Sequence, residues 1–207
     1  RYYCLGLESL INSAPSPPTR AALVASAAAA SATTLSHRLL LTFFDTTARS
    51  FVGSTFETPE AIVDIPTDPS DASASAAVTY DADLHLHSRL TDARVLLVVE
   101  SSYTLRDART HKILSEASSG WASIEPFGGA TLATTADERS SPLMRGSPLA
   151  LAAMKRADAS ARAEVLKPSS ATLRYNLRSH PKLAAAAHLL RDTAIYSEAD
   201  HVAGLLP

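Results

Sequence analysis

The run Asp83-Leu84-His85-Leu86-His87 holds the densest set of groups in this chain that could do chemistry. Residues at i and i+2 of a strand share a face, so His85 and His87 could offer two imidazoles side by side to a metal. The same alternation has a simpler reading, in which Leu84 and Leu86 turn to a core while Asp83, His85 and His87 turn to solvent. No further Cys or His cluster stands at metal-ligand spacing, and the simpler reading is preferred. A second set, Asp64, Asp68, Asp71, Asp81 and Asp83, supplies carboxylates of the kind Ca²⁺ collects, since that ion takes about six to eight oxygen ligands. These acids are diluted by Pro, Ser and Ala, and a working site needs carboxylates converging from two separate loops. Solvated loop acids are the expectation. Nucleophilic catalysis finds no foothold: no G-x-S-x-G elbow occurs, Gly53-Ser54-Thr55 lacks the second glycine, and Cys4 has no basic neighbour to lower its pKa. Gly128-Gly129 reads as a turn with no P-loop lysine after it. The expectation is a non-enzyme with no catalytic, cofactor-binding or metal-ligating residue and no cofactor; no partner-binding residue is assigned.

The elements that would position any such site are mainly strands. Thr33 to Thr55 is the most informative stretch: Leu35, Leu39, Leu41 and Phe43 share one face at period two, while Leu40 and Phe44 put apolar bulk on the other. A strand apolar on both faces is buried from above and below. It ends at Asp45-Thr46-Thr47, whose short side chains bond nearby backbone and favour a turn, and Phe51-Val52-Gly53 returns at once. Further strands are expected over Tyr2 to Leu7, Val78 to His87, Arg94 to Tyr103 and Gly120 to Phe127, and Ala61 to Ile65 is a brief apolar run. Asn12 to Thr19, Pro66 to Ala74, Arg106 to His111 and Ala136 to Ser141 read as loops or polar connections. Short strands separated by turn signals argue for an antiparallel sandwich.

Helical signals are fewer. Arg20 to Ala32 is alanine-rich behind Thr19 as an N-cap, and helix and strand lead-in both stay open there. Met154 to Leu166 reads as a further helix ended by Lys167-Pro168. Beyond Ser179, Pro181 suits a first helical position, and Leu183, Ala186, Ala187 and Leu190 fall on one helical face that would dock on the sheet. Ser197 with Asp200 resembles a capping box, and Gly204 then Pro207 a stop. This divides the chain into a sandwich over 1–178 and a helical extension over 179–207.

Composition narrows the function classes. The 207 residues fit one large domain able to bury its own core. A net charge of −2 with scattered Lys and Arg leaves no electrostatic footprint for nucleic acid or anionic lipid. A single cysteine forbids an intrachain disulfide. Ala21 to Ala32, the longest apolar run, is too short for a transmembrane helix, which needs about 20 residues. The first residues already read as a strand and lack an initiator methionine, so the chain is expected to be an internal fragment.

The segment TFFDTTARSFVGSTF, Thr42 to Phe56, resembles the N-terminal region of the nephrocystin-4 family, where a strand ending in SFFD precedes an F-x-G-x-T-[WF] element. The resemblance continues in order through VLLVVES (Val95 to Ser101), RGSPLAL (Arg145 to Leu151), LRYNLRSHPKLAAAAHLL (Leu173 to Leu190) and the closing GLLP (Gly204 to Pro207). Near RGSPLAL the sequence departs from the family's L-Y-x-G-T-P-R-x-L: Met144 replaces the aromatic, Ser147 the Thr and Leu149 the Arg. Any role that depended on that arginine is in doubt.

The resemblance implies a C2-like β-sandwich. It also implies a non-catalytic scaffold of the cilium or flagellum, at the transition zone and basal body on the cytoplasmic side, serving cilium assembly and ciliary gating. The implied partners are nephrocystin-1 and a C2-containing GTPase-regulator-interacting protein; contact with membrane or microtubule stays open. A calcium- or lipid-responsive C2 membrane-binding module is the alternative. The combined expectation is a mainly β, antiparallel C2-like β-sandwich with a helical C-terminal extension.

Overall fold

Alternation and β-branched runs build an antiparallel, mainly β structure. The computed structural model describes residues 2–11, 23, 25–27, 33–63, 77–89, 94–126, 138–153, 166–179 and 187–197. Its strands are β1 (Tyr2–Ile11), β2 (Thr33–Asp45), β3 (Ser50–Glu57), β4 (Ala61–Val63), β5 (Val78–His87), β6 (Val95–Asp107), β7 (Ile113–Ile124), β8 (Glu138–Met144), β9 (Pro168–Ser179) and β10 (Ala194–Ser197). A short helix, α1 (Leu149–Ala153), and a 3₁₀ turn at Ala187–Leu189 accompany them. Residues 23 and 25–27 are helical, as the alanine content of that stretch allows. Residues 66–74 and 154–165, on which a loop and a helix were expected, lie outside the described residues.

The strands run β10-β5-β1-β9-β8-β7-β6-β2-β3 in one continuous sheet, with β4 also on β2. The sheet folds back on itself, so β5, β1 and β9 face β2, β6 and β7 across a shared apolar core, consistent with a sandwich. Leu5, Leu7, Leu84, Leu86, Leu173 and Leu177 come from one layer; Leu39, Leu41, Phe43, Leu97 and Val99 come from the other. β8 forms the corner. It pairs with β9 over most of its length and with β7 at Met144 opposite Trp121. Pro142, lacking a donor, sits beside the register shift where this strand changes partner.

The corner corrects one expectation, since Ala136 to Ser141 reads as an exposed loop but Glu138 onward is strand. Its polar side chains alternate outward while its backbone pairs with β9, a pairing that composition does not encode. β6 likewise runs on to Asp107, and its polar tip then turns on Asp107 Oδ1, which accepts from the N–H groups of Arg109 and Thr110.

β2 behaves as its two apolar faces require. Phe43 lies in the sandwich core, whereas Phe44 packs on the outer face with Val98 and Trp121, edge-on to Phe51 at 5.1 Å between ring centroids. The corner after it is an Asx turn in which Asp45 Oδ1 accepts from Thr47 N at 2.7 Å and Ala48 N at 2.9 Å. These bonds hold the Asp45 carboxyl below the usual carboxylate range, with the Ala48 amide the larger cause.

Past β9 the expected helical extension is not what the described residues form. The 3₁₀ turn at Ala187–Leu189 leads to a strand, β10, which pairs with β5 from Ala194 opposite His87 to Ser197 opposite Leu84. Ser197 is thus a strand end, and the boundary drawn at 178/179 cuts through β9 and separates β10 from the sheet it belongs to. Leu190 is buried as expected; Leu183 and residues 198–207 lie outside the described residues.

Candidate functional site

Within β5, Leu84 and Leu86 point into the core as the alternation demands. The other face does not meet solvent as expected: His85 is 7% exposed and His87 only 3%. The segment 187–193 covers that end of β5, where His87 Nδ1–H donates to the Arg191 carbonyl at 2.8 Å and Asp192 Oδ1 accepts from Arg89 N at 2.7 Å. Strand alternation gives the side a residue faces, and only the returning chain gives what lies there. Among the described residues no group of three or more His, Cys, Asp or Glu could hold a metal.

Of the five acids weighed for calcium, Asp64, Asp68 and Asp71 lie outside the described residues, while Asp81 and Asp83 lie on β5. Asp83 is ion-paired with Arg178 of β9, which places a competing cation where Ca²⁺ would need charge. Arg178 also hydrogen-bonds Cys4, directly opposite it in the β1–β9 ladder. The cysteine therefore has a basic neighbour that its own sequence surroundings do not contain.

The buried chemistry of the molecule gathers around His37, which continues the inward row Leu35, Leu39, Leu41 and Phe43 of β2. His37 Nδ1 bonds the hydroxyl of Tyr80, reaching across the sandwich to β5. On the other side its Nε2 lies 2.7 Å from Ser101 Oγ of β6, and that hydroxyl meets Ser119 Oγ at 2.5 Å. Tyr103 stands edge-on to the imidazole, 4.5 Å between ring centroids.

One proton assignment satisfies every group. Tyr80 O–H donates to Nδ1, Nε2–H donates to Ser101, Ser101 donates to Ser119, and Ser119 donates to the Ser101 carbonyl at 3.4 Å. The chain runs in one direction with a neutral imidazole. Burial lowers the His37 pKa from 6.5 to about 4 and pushes the Tyr80 phenol well above its ordinary range, so the histidine stays neutral and the tyrosine stays a donor.

Local irregularities aim these side chains. In β7 an extra residue, Ser119, stands between Gly120 opposite Ser101 and Ser118 opposite Ser102. Gly120 has φ +148°, and a Cβ there would lie 2.7 Å from the Met144 carbonyl. In β5 a register shift sets Tyr80 and Asp81 against a single residue of β1, with Asp81 at φ +41°. A serine hydrogen-bonded to a histidine is a nucleophile–base geometry, but both side chains are fully buried. In this conformation no substrate atom can reach Ser101, and the orienting group behind His37 is a hydroxyl in place of a carboxylate. The belt holds the two layers together.

Sequence reasoning did not single out His37. The available signal was a histidine at an inward position of an otherwise leucine and phenylalanine row, which requires a buried partner. Its partner, Tyr80, is 43 residues away and could not be assigned from spacing.

Beside Tyr80 the sandwich opens into a cleft of about 650 Å³ between residues 56–61, which carry β3 into β4, and residues 79–84 of β5. Among the described residues, Glu57, Glu60, Asp81 and Asp83 line it together with Phe56 and Leu84, and no Lys or Arg does. Glu57 and Glu60 are held from the outer face of the sheet, by Arg38 at 2.6 Å and Arg106 at 2.7 Å. The Glu60 carboxyl is consequently lowered, first by its bond from Arg106 and then by that from Ser36.

No protein-family model matches this chain.

Proposed function

We propose that this domain is a non-catalytic scaffold module of a ciliary transition-zone protein, contributing to cilium assembly and ciliary gating through protein–protein contacts. The observation that carries the reading is where the segments resembling the nephrocystin-4 family fall. Thr42 to Phe56 builds the end of β2, the Asx turn and most of β3; Val95 to Ser101 is the adjoining half of β6. Arg145 to Leu151 forms the turn into α1, where Ser147 precedes Pro148 and Leu151 packs on the outer cluster of Phe44, Val98 and Trp121. Leu173 to Ser179 is the body of β9. Segments resembling one family in order, two of them on the neighbouring strands β3, β2 and β6 and one on β9 of the same sheet, support a shared framework. Function carried by such a framework lies in its surfaces, and the sealed His37–Ser101 pair supports contact over catalysis.

The test is expression of the tagged domain in ciliated cells, with capture of bound proteins. The expected result is enrichment at the transition zone and recovery of nephrocystin-1 or the C2-containing GTPase-regulator-interacting protein. A uniform distribution with neither partner recovered would sink the reading.

A further inference from the structure

Ser-Pro or Thr-Pro steps occur in the chain at Ser16, Thr58, Ser141 and Ser147. Ser16 lies outside the described residues. Thr58 is buried with its Oγ1 accepting from Leu39 N at 2.9 Å, and Ser141 sits in the β8–β9 ladder opposite Leu173. Ser147 differs, because β8 has ended at Met144 and the chain is turning toward α1. Its neighbours Arg145, Gly146 and Leu149 are exposed, and no described atom lies within 4 Å of where a Cβ on Gly146 would stand. The turn therefore stands clear of the sheet where an enzyme could take hold of it, and a serine followed by proline is what proline-directed kinases accept.

Ser147 also holds the start of α1 to the outer face of the sheet. Its hydroxyl donates to the carboxylate of Glu100 on β6 and accepts from Leu149 N at 3.4 Å. Ser118 on β7 shares its hydroxyl between Glu100 and the Gly146 carbonyl, 3.1 Å away. Pro148 and Leu149 stand over a hollow of about 270 Å³ lined by Thr42, Phe51, Val98 and Glu100, so α1 rests on Ser147 at one end and Leu151 at the other. Burial raises the Glu100 carboxyl, ahead of the lowering by its bonds from Ser118 and Ser147, and Glu116 adds to the rise. A half-buried acid of this kind tolerates further negative charge poorly.

We propose that Ser147 is a phosphorylation site for a proline-directed kinase and that the phosphate, set against Glu100, releases α1 from the outer face of the sheet. The kinase transfers the γ-phosphoryl group of ATP to Ser147 Oγ; the hydroxyl proton is lost and ADP leaves. The donor that Glu100 accepted from is then gone, and an ester carrying about 1.5 to 2 negative charges stands in its place. Like charges at hydrogen-bond distance repel, and Glu116 adds to the repulsion. Release lifts Leu151 from Phe44, Val98 and Trp121 and uncovers that cluster. The switch does not depend on the ciliary reading.

The test uses the full 207-residue chain, a cyclin-dependent kinase and ATP, with the modified sites mapped by mass spectrometry. Phosphate is expected on Ser147. Trp121 is the chain's only tryptophan and lies directly opposite Glu100, so its emission reports on the face beneath α1. At pH 8 phosphorylation should red-shift that emission. It should also speed exchange of the Ala150 and Leu151 amides at least about tenfold, as loss of a hydrogen bond to a charged group predicts. Kinase-treated Ser147→Ala should show neither change, and Glu100→Gln should remove most of both. Ser147→Asp against Ser147→Asn repeats the comparison without the kinase, and only the aspartate should release α1. Absence of phosphate at Ser147, or an α1 left unchanged or tightened as pairing with Arg145 would leave it, overturns the proposal. So does an equal effect in Glu100→Gln, or equal release by the aspartate and asparagine variants.

Discussion

The two ends of the seam between the layers are built differently. At one end β3 meets the chain entering β10 so closely that a Cβ on Gly53 would run into the Thr193 carbonyl, and the core beside it is the apolar cluster of Phe43, Leu41, Leu86 and Ile195. At the other end β4 and β5 stand apart around the cleft, and the interior holds the His37, Tyr80, Ser101 and Ser119 belt. Apolar contact is non-directional and brings layers as close as their side chains pack. Hydrogen bonds fix a distance and a direction, and their donors and acceptors must all be matched if buried. The polar end holds the layers at the spacing set by the tyrosine–histidine pair, and the cleft opens beside it.

The comparison breaks most severely if the apolar end is hollowed. Phe43→Ala should cost about 3–5 kcal/mol, read as a fall in denaturant midpoint with unchanged m-value. A variant as stable as wild type would remove β2 from the core.

At the polar end the lever is pH. The unfolded chain protonates His37 near 6.5 and the folded chain only near 4, so its contribution to stability is complete above about pH 6.5 and is lost progressively as pH falls toward 4. That displacement corresponds to about 3 kcal/mol. Glu100, whose carboxyl is raised by burial, acts in the opposite sense, losing stability as pH rises. The check is therefore the difference between wild type and His37→Gln in unfolding free energy measured from pH 7 to 4. Parallel curves would show that the imidazole is not held neutral by the belt.

The closed end of the seam is sharpened by Gly53→Ala. The residue has φ +80° and its new methyl group meets backbone, so a loss of about 2 kcal/mol is expected, with faster exchange of the amides in β10. Unchanged β10 protection would mean the layers do not depend on that contact.

The smallest effect belongs to the cleft rim. Asp81→Asn should change stability by less than about 0.5 kcal/mol, and millimolar Ca²⁺ or EDTA should leave the melting temperature of wild type in place. A calcium-dependent rise abolished by Asp81→Asn would revive the C2 sensor reading.

How much was legible follows the range of the interactions. β2, β5 and β6 were readable because their alternation and β-branched content record two-sided burial directly, and the Asp45 corner because its hydrogen bonds span two and three residues. β8 was missed because Glu138 to Ser141 is polar and becomes a strand only by pairing with β9. The burial of His85 and His87 was missed because the chain that covers them arrives about a hundred residues later.

By itself, the sequence determined a mainly β chain, its long buried strands and its tight corners, since side-chain alternation and short-range hydrogen bonds act within a few residues. Tertiary structure alone decided the corner strand, the return of β10 onto β5, the pairing of Tyr80 with His37 and the half-open seam. Each of these joins residues far apart in the chain, whose meeting depends on how the whole sheet folds over and has no local pattern to announce it.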